Sequence, residues 1–164
     1  MNMIEFDVKI EAGDLYDYLL AHTYSGAPGI LGTTFGALLI VFAVMEGKWI
    51  FLILGAVLLL YLPWTLFIKS RQQALNNPAF KKPLHYCLDD EGISVSQDGV
   101  TQKQLWEDMY KAVSTGRSII VYTSRVNATI FPKRALGEER IQVIEFISTH
   151  MPPSKVKILS LIHI

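Results

Sequence analysis

Asp89, Asp90 and Glu91 stand in a row, and three adjacent carboxylates raise the question of a cation site. A calcium loop alternates its ligands at positions 1, 3 and 5 and closes with a bidentate Glu at 12, and this run has neither feature. With Gly92 behind them, the three acids read as a solvated hairpin turn. Glu107 and Asp108 form a second acidic pair, after Trp106, at a place where a sheet would turn a corner. Neighbours on a strand point to opposite faces, so this pair does not converge on one substrate atom. His22, His85, His150 and His163 lack the spacing of a metal set. Neither a phosphate loop nor a Gly-x-Ser-x-Gly elbow occurs. Cys87 is the single cysteine, which excludes an intrachain disulfide, and it lies in an apolar alternation typical of a packed strand. The expectation is therefore no enzyme, no cofactor and no metal.

The positive candidate is basic. Lys81, Lys82, Lys133 and Arg134, with Arg117 and Arg125 as further members, fall in segments near strand ends. Held close to a membrane, such residues could contact anionic headgroups, each contributing on the order of 1 kcal/mol. The competing reading is a set of solvated cations that pair with an acidic N-terminal segment. Formal charge is zero but unevenly spread. Residues 1–25 set Lys9 against Glu5, Asp7, Glu11, Asp14 and Asp17, a net −4, whereas residues 69–164 set thirteen Lys/Arg against nine Asp/Glu, a net +4. Such an asymmetry points to a membrane or nucleic-acid contact, or to docking of the two segments on each other. No aromatic–basic platform accompanies the charge, so nucleic acid is not an expected partner.

The elements that must position these residues begin with two uncharged apolar runs, 26–45 and 49–68, separated only by Glu46, Gly47 and Lys48. Each would make a helix about 30 Å long, the thickness of a bilayer's hydrocarbon core. The chain is 51% hydrophobic and 18% charged, with a mean hydropathy of +0.30, and the excess sits in these runs. A signal peptide is excluded by the acidic residues before the first run, and buried core helices by the lack of a polar stripe. The expectation is an antiparallel transmembrane hairpin with the lipid bilayer as its partner. Lys69 and Arg71 follow the second run at once, which puts both termini on the cytoplasmic side of the cell membrane. Gly32 and Gly36, extended by Gly29 and Thr33, offer a small-residue face. That face would pack on the second run, with homodimerisation through the first run as the rival. Pro63 would kink the second helix, and Trp49, Tyr61 and Trp64 suit the interface. With no ionisable residue in either run, a proton or transport path is not expected.

Outside the runs, residues 3–11 alternate apolar and charged without a fault, the period of a half-buried strand that must pair elsewhere in the chain. Asp14 suits the N-cap of a short helix to about Tyr24. Asn76, Asn77, Pro78 and Pro83 mark a linker over 69–83. Strands are expected near 84–89, 92–97, 100–105, 108–114, 118–124 and 127–132, with Asp98 and Gly99 as a type I′ turn. A helix is expected over 137–151, followed by a strand-like tail within 155–164. The domains are thus 1–25 (strand and short helix), 26–68 (hairpin), 69–83 (linker) and 84–164 (cytoplasmic domain). The fold class is a membrane α-helical hairpin plus an α+β domain. That domain is a pleckstrin-homology-like β-roll of about seven strands, the first from the N-terminus, closed by a C-terminal helix.

Several strings in order carry a resemblance along nearly the whole chain. NPAFKKPLHY (77–86) leads into DDEGISVSQ (89–97), then Trp106, Glu107 and Asp108, then FPKRALGEE (131–139). With the N-terminal strand, the helix ending in His22 and Tyr24, and the two apolar runs, these resemble the YcxB-like family of bacterial membrane proteins. Residues 158–164 depart from that pattern. The resemblance implies two spans and a pleckstrin-homology-like cytoplasmic domain, and it carries no activity. The functional expectation is a membrane-anchored, non-enzymatic module that binds a protein partner at the cytoplasmic face. An anionic-lipid-binding domain and an accessory subunit of a transporter are the alternatives.

Overall fold

In a computed structural model, which describes residues 3–158, the chain starts with strand β1 (Ile4–Val8) and helix α1 (Ala12–Tyr24). Two long apolar helices follow, α2 (Ala27–Glu46) and α3 (Trp49–Asn76). Strands β2 (Leu84–Leu88), β3 (Gly92–Gln97) and β4 (Val100–Leu105) come next. A 3-10 turn (Trp106–Asp108) leads to β5 (Lys111–Ser114), β6 (Ser118–Tyr122) and β7 (Ala128–Pro132). Helix α4 (Lys133–Leu136), a 3-10 turn (Gly137–Glu139), helix α5 (Arg140–His150) and strand β8 (Val156–Lys157) complete the order.

The alternation at the N-terminus places β1 as expected. It pairs antiparallel with β2, setting Phe6 opposite Tyr86 and Val8 opposite Leu84, and the sheet continues in the order β1-β2-β3-β4. Residues 9–83, with both long helices, are thus inserted between two adjacent strands of one sheet. A second sheet has the order β7-β6-β5-β8. The two meet through an aromatic contact: the Phe131 ring stands edge-on to Phe6 (5.3 Å) and to Tyr86 (5.1 Å). Val8, Leu88, Ile119, Val121, Phe131, Val143 and Ile147 are fully buried in this core. Trp106 turns the corner from β4 to β5. Its Nε1 donates to the Asp89 carbonyl (2.8 Å), while its ring lies on Phe146 and His150 of α5, which closes one end of the domain.

Several expectations change. The domain has eight strands among the described residues, in two four-stranded sheets, rather than about seven, because Val156–Lys157 pairs parallel with β5. Beyond Ile158 the strand-like tail lies outside the described residues, as does His163. The segment 69–83 is helical to Asn76, so the second apolar helix extends well past its apolar run. Asp14 is not the N-cap of α1. Glu11 is, and Asp14 sits three residues in, accepting from the Glu11 N–H (2.8 Å) in a capping box. Glu107 and Asp108 lie in the 3-10 turn rather than on a strand. The expected helix over 137–151 is broken at Gly137, whose φ of +51° ends α4 before α5 begins. Asp98 and Gly99 both have positive φ, +50° and +81°, as a type I′ turn requires.

The helices α2 and α3 lie side by side. Gly47 caps α2 at φ +64°, the left-handed conformation that lets so short a link reverse the chain. A Cβ on Gly55 would stand 2.8 Å from the Gly36 carbonyl, and one on Gly36 would stand 2.6 Å from Leu59. Gly32 faces Leu62 across the same seam. Gly29 does not join it, because its missing Cβ makes room for Thr23 and Tyr24 at the end of α1. Away from the seam both helices expose large apolar side chains, among them Phe35, Leu60 and Trp64, each more than 60% exposed.

Candidate functional site

The acidic residues resolve into structural roles. Asp89 Oδ1 accepts from the N–H of Glu91 and of Gly92, both at 2.9 Å, which closes the β2–β3 turn. Lys103 from β4 then bridges Asp89 (2.8 Å) and Glu91 (2.6 Å). That ammonium, with the two turn N–H groups, holds the Asp89 carboxyl below the usual carboxylate range. Asp90 faces His150 at 3.4 Å, and Asp7 faces His85 at 2.8 Å. Burial, followed by the charges of Glu5 and Asp89, pushes the Cys87 thiol up, which keeps thiolate scarce at neutral pH.

The basic residues part company. Lys81 is exposed and has no carboxylate within 4.0 Å among the described residues. Lys82 pairs with Asp98 at the tip of the β3–β4 hairpin (2.8 Å), and Gln97 Nε2 donates to the Ala79 carbonyl (2.9 Å) beside it. These contacts tie the end of the α3 extension to the first sheet. Arg125 lies exposed in the β6–β7 turn.

Lys133 and Arg134 line a cleft of about 260 Å³ with Asp14, Gly116, Arg117 and Arg140. The second sheet and α1 build it together. The Lys133 N–H donates to the Arg117 carbonyl (2.8 Å), so the β5–β6 turn and the end of β7 bring two cationic residues side by side. Thr115 fixes that turn by accepting from Ser118 N–H (2.9 Å) and donating to Asp17 of α1 (2.5 Å). The Arg117 guanidinium lies on the first turn of α1, where a Cβ on Gly13 would come within 3.2 Å of it. Arg134 donates to Asp14 (2.5 Å) and to the Lys9 carbonyl (3.1 Å), with Glu11 at 3.6 Å. Asp14 is buried, its side chain 3% exposed, and this pair satisfies it. The Lys133 ammonium donates to the Thr115 carbonyl. Burial, and then the nearby Arg140, pushes its amine below the usual lysine value, against an opposing pull from Asp17.

Four cationic side chains therefore surround the cleft, and only Arg134 has a carboxylate within 4.0 Å among the described residues. The acidic N-terminal segment accounts for Arg134 and leaves Arg117, Lys133 and Arg140 to the cleft. Arg140 escaped the sequence reading because it lay inside the expected helix over 137–151. It lies seven residues after Lys133 and about one turn beyond Gly137, and that spacing is the signal that could have found it.

Comparison with curated proteins and with solved structures gives no match to this chain. Residues 88–147, from the last residue of β2 to Ile147 in α5, match the family model described as YcxB-like protein, the same family the sequence motifs resemble.

Proposed function

We propose that this chain is a membrane-anchored, non-enzymatic interaction module whose pleckstrin-homology-like domain works at the cytoplasmic face of the cell membrane. The observation that supports it is the placement of the α2–α3 hairpin. Two apolar helices, with large side chains exposed away from their seam, leave and re-enter one sheet between its adjacent strands β1 and β2. Exposed apolar surface on that scale calls for an apolar medium. Lys69 and Arg71 follow the apolar run of α3, and the positive-inside rule then orients the domain inward. The insertion makes the hairpin an anchor built into the domain rather than an appendage.

Cysteine labelling in intact cells tests the topology. In a Cys87→Ser background, Glu46→Cys should react with a membrane-impermeant maleimide from outside, and Gln72→Cys should react only after lysis. Labelling of Gln72→Cys in intact cells overturns the orientation. For partner binding, photo-crosslinkers on the exposed strand β4, at Thr101 and Gln104, should trap a discrete cytoplasmic protein. Adducts with nothing but lipid and detergent would count against the module reading.

A second reading has its own observation. The basic cleft at the first turn of α1 favours binding of anionic headgroups. Tyr16, two residues from Asp14 on α1, sets its ring 5.7 Å from Phe67, at the end of the apolar run of α3. That contact joins α1, whose first turn carries Asp14 of the cleft, to the end of the apolar run, which supports the headgroup reading.

A further inference from the structure

We propose that the cleft bounded by Arg117, Lys133, Arg134 and Arg140 is a binding site for a phosphoryl group, with Arg117 and Arg140 supplying the ligand's direct contacts. Only the lipid source of that group rests on the headgroup reading; the site itself stands on its own geometry.

Like charges held together at a partly buried position repel, and an anion between them removes the repulsion. The cleft lining sets four cations against the Asp14 carboxylate, which is already bonded to Arg134 and to the Glu11 N–H. At its margin Glu11 lies 3.6 Å from Arg134 and Asp17 is engaged by Thr115, so the cations still outnumber the acids. Lys133 and Arg134 are held in place by the Thr115 carbonyl, by Asp14 and by the Lys9 carbonyl. The floor of the cleft is thus fixed before any ligand arrives, which lowers the ordering cost of binding. Arg117 lies against α1 at Gly13, and both it and Arg140 lack a carboxylate partner among the described residues, so their guanidinium forks remain available. A planar fork with parallel N–H donors matches the oxygens of a phosphate better than an ammonium does. A volume of about 260 Å³ admits a phosphate or the phosphomonoester end of a larger molecule. It lacks the aromatic walls that would hold a nucleobase.

Two sources share this chemistry, a soluble phosphate ester and the headgroup of an acidic phospholipid such as phosphatidic acid. The test uses the full chain in phosphate-free maltoside micelles, titrated calorimetrically with inorganic phosphate at constant ionic strength. Saturable one-site binding is expected, weakened at least ten-fold by Arg117→Gln and by Arg140→Gln. It should change less than two-fold in the Lys81→Gln/Lys82→Gln double variant, whose residues lie outside the cleft. Arg140→Lys keeps the charge but loses the fork and should fall between, which protects the reading if a glutamine variant melts early. The absence of saturable binding overturns the site, and so does an equal loss in the Lys81/Lys82 variant, which would mean diffuse charge alone. A second arm repeats the titration in nanodiscs of phosphatidylcholine with and without phosphatidic acid. A weaker apparent phosphate affinity in the acidic discs assigns the site to lipid. An unchanged affinity assigns it to a soluble ester and removes the headgroup reading while the site stands.

Discussion

Phe131 and Leu60 show how differently the two halves of this molecule use apolar residues. Phe131 sits at 0% exposure between two sheets, whereas Leu60 stands 68% exposed on α3. The β domain buries its aromatic and aliphatic side chains against one another and is held by their loss of contact with water. The hairpin turns them outward and joins its helices where side chains are missing, at Gly36 and Gly55. Each half thus distributes its apolar side chains in the opposite sense. In the domain, side-chain volume creates cohesion; in the hairpin, the absence of volume does. Under the proposed anchoring, the same residue types act as cement in one half and as a lipid-facing surface in the other.

Truncation should break the comparison most sharply. Phe131→Ala removes the ring that bridges the two sheets and should cost about 3–5 kcal/mol in denaturant melts of the domain signal. Leu60→Ala, followed in the same way, should shift it by under about 0.5 kcal/mol. Equal effects would mean that the hairpin is cored like a soluble bundle. Next in size is the seam. Gly55→Ala brings a methyl within 2.8 Å of the Gly36 carbonyl, and the helices must part. A loss of about 1–3 kcal/mol is expected, read as earlier thermal dissociation of α2 from α3 by a fluorophore pair.

Arg134→Gln tests the junction of the β domain with α1, the helix that leads into the hairpin, because it leaves the buried Asp14 carboxylate without its guanidinium. The side chain of Arg134 is itself 44% exposed, so water tempers the loss to about 1–3 kcal/mol. Asp14→Asn in the same background should recover part of it. The smallest effect is a pH dependence confined to the domain. Asp89 has a lowered folded-state pKa, so its contribution is fully present above the usual carboxylate value of 3.8. It disappears as pH falls from there through the lowered value, where the unfolded chain binds the extra proton first. Lys103→Met should flatten that part of the stability–pH curve.

How much of this was readable in the sequence depends on the range of the interaction. The alternation of residues 3–11, the two apolar runs and the Asp98–Gly99 turn are set by neighbours in the chain, and each appears where the pattern puts it. α3 runs past its apolar run because hydropathy falls at Lys69 while helix propensity does not; Gln72, Gln73 and Ala74 continue the helix without being apolar, and it stops at Asn76, where the asparagines and Pro78 end it. Strand β8 falls within the strand-like tail expected over 155–164, but its partner was not legible, because two residues carry no period and only the edge of β5 makes them a strand. In the cleft, Lys133 and Arg134 were visible as cations, but their fates were not. The partner of Arg134 lies 120 residues away, and no local spacing records it.

The neighbour relation of β1 and β2 also sets a schedule. β1 is made first, and its partner follows only after residues 9–83 have been synthesised. At 5–20 residues per second that interval is roughly 4–15 s. Throughout it Phe6 and Val8 lack their cover and the strand edge stands open. The sheet can close only when the hairpin has been made and both of its ends have returned to one side. Completion of the domain is therefore a record that the hairpin has been laid down, written in the order of synthesis.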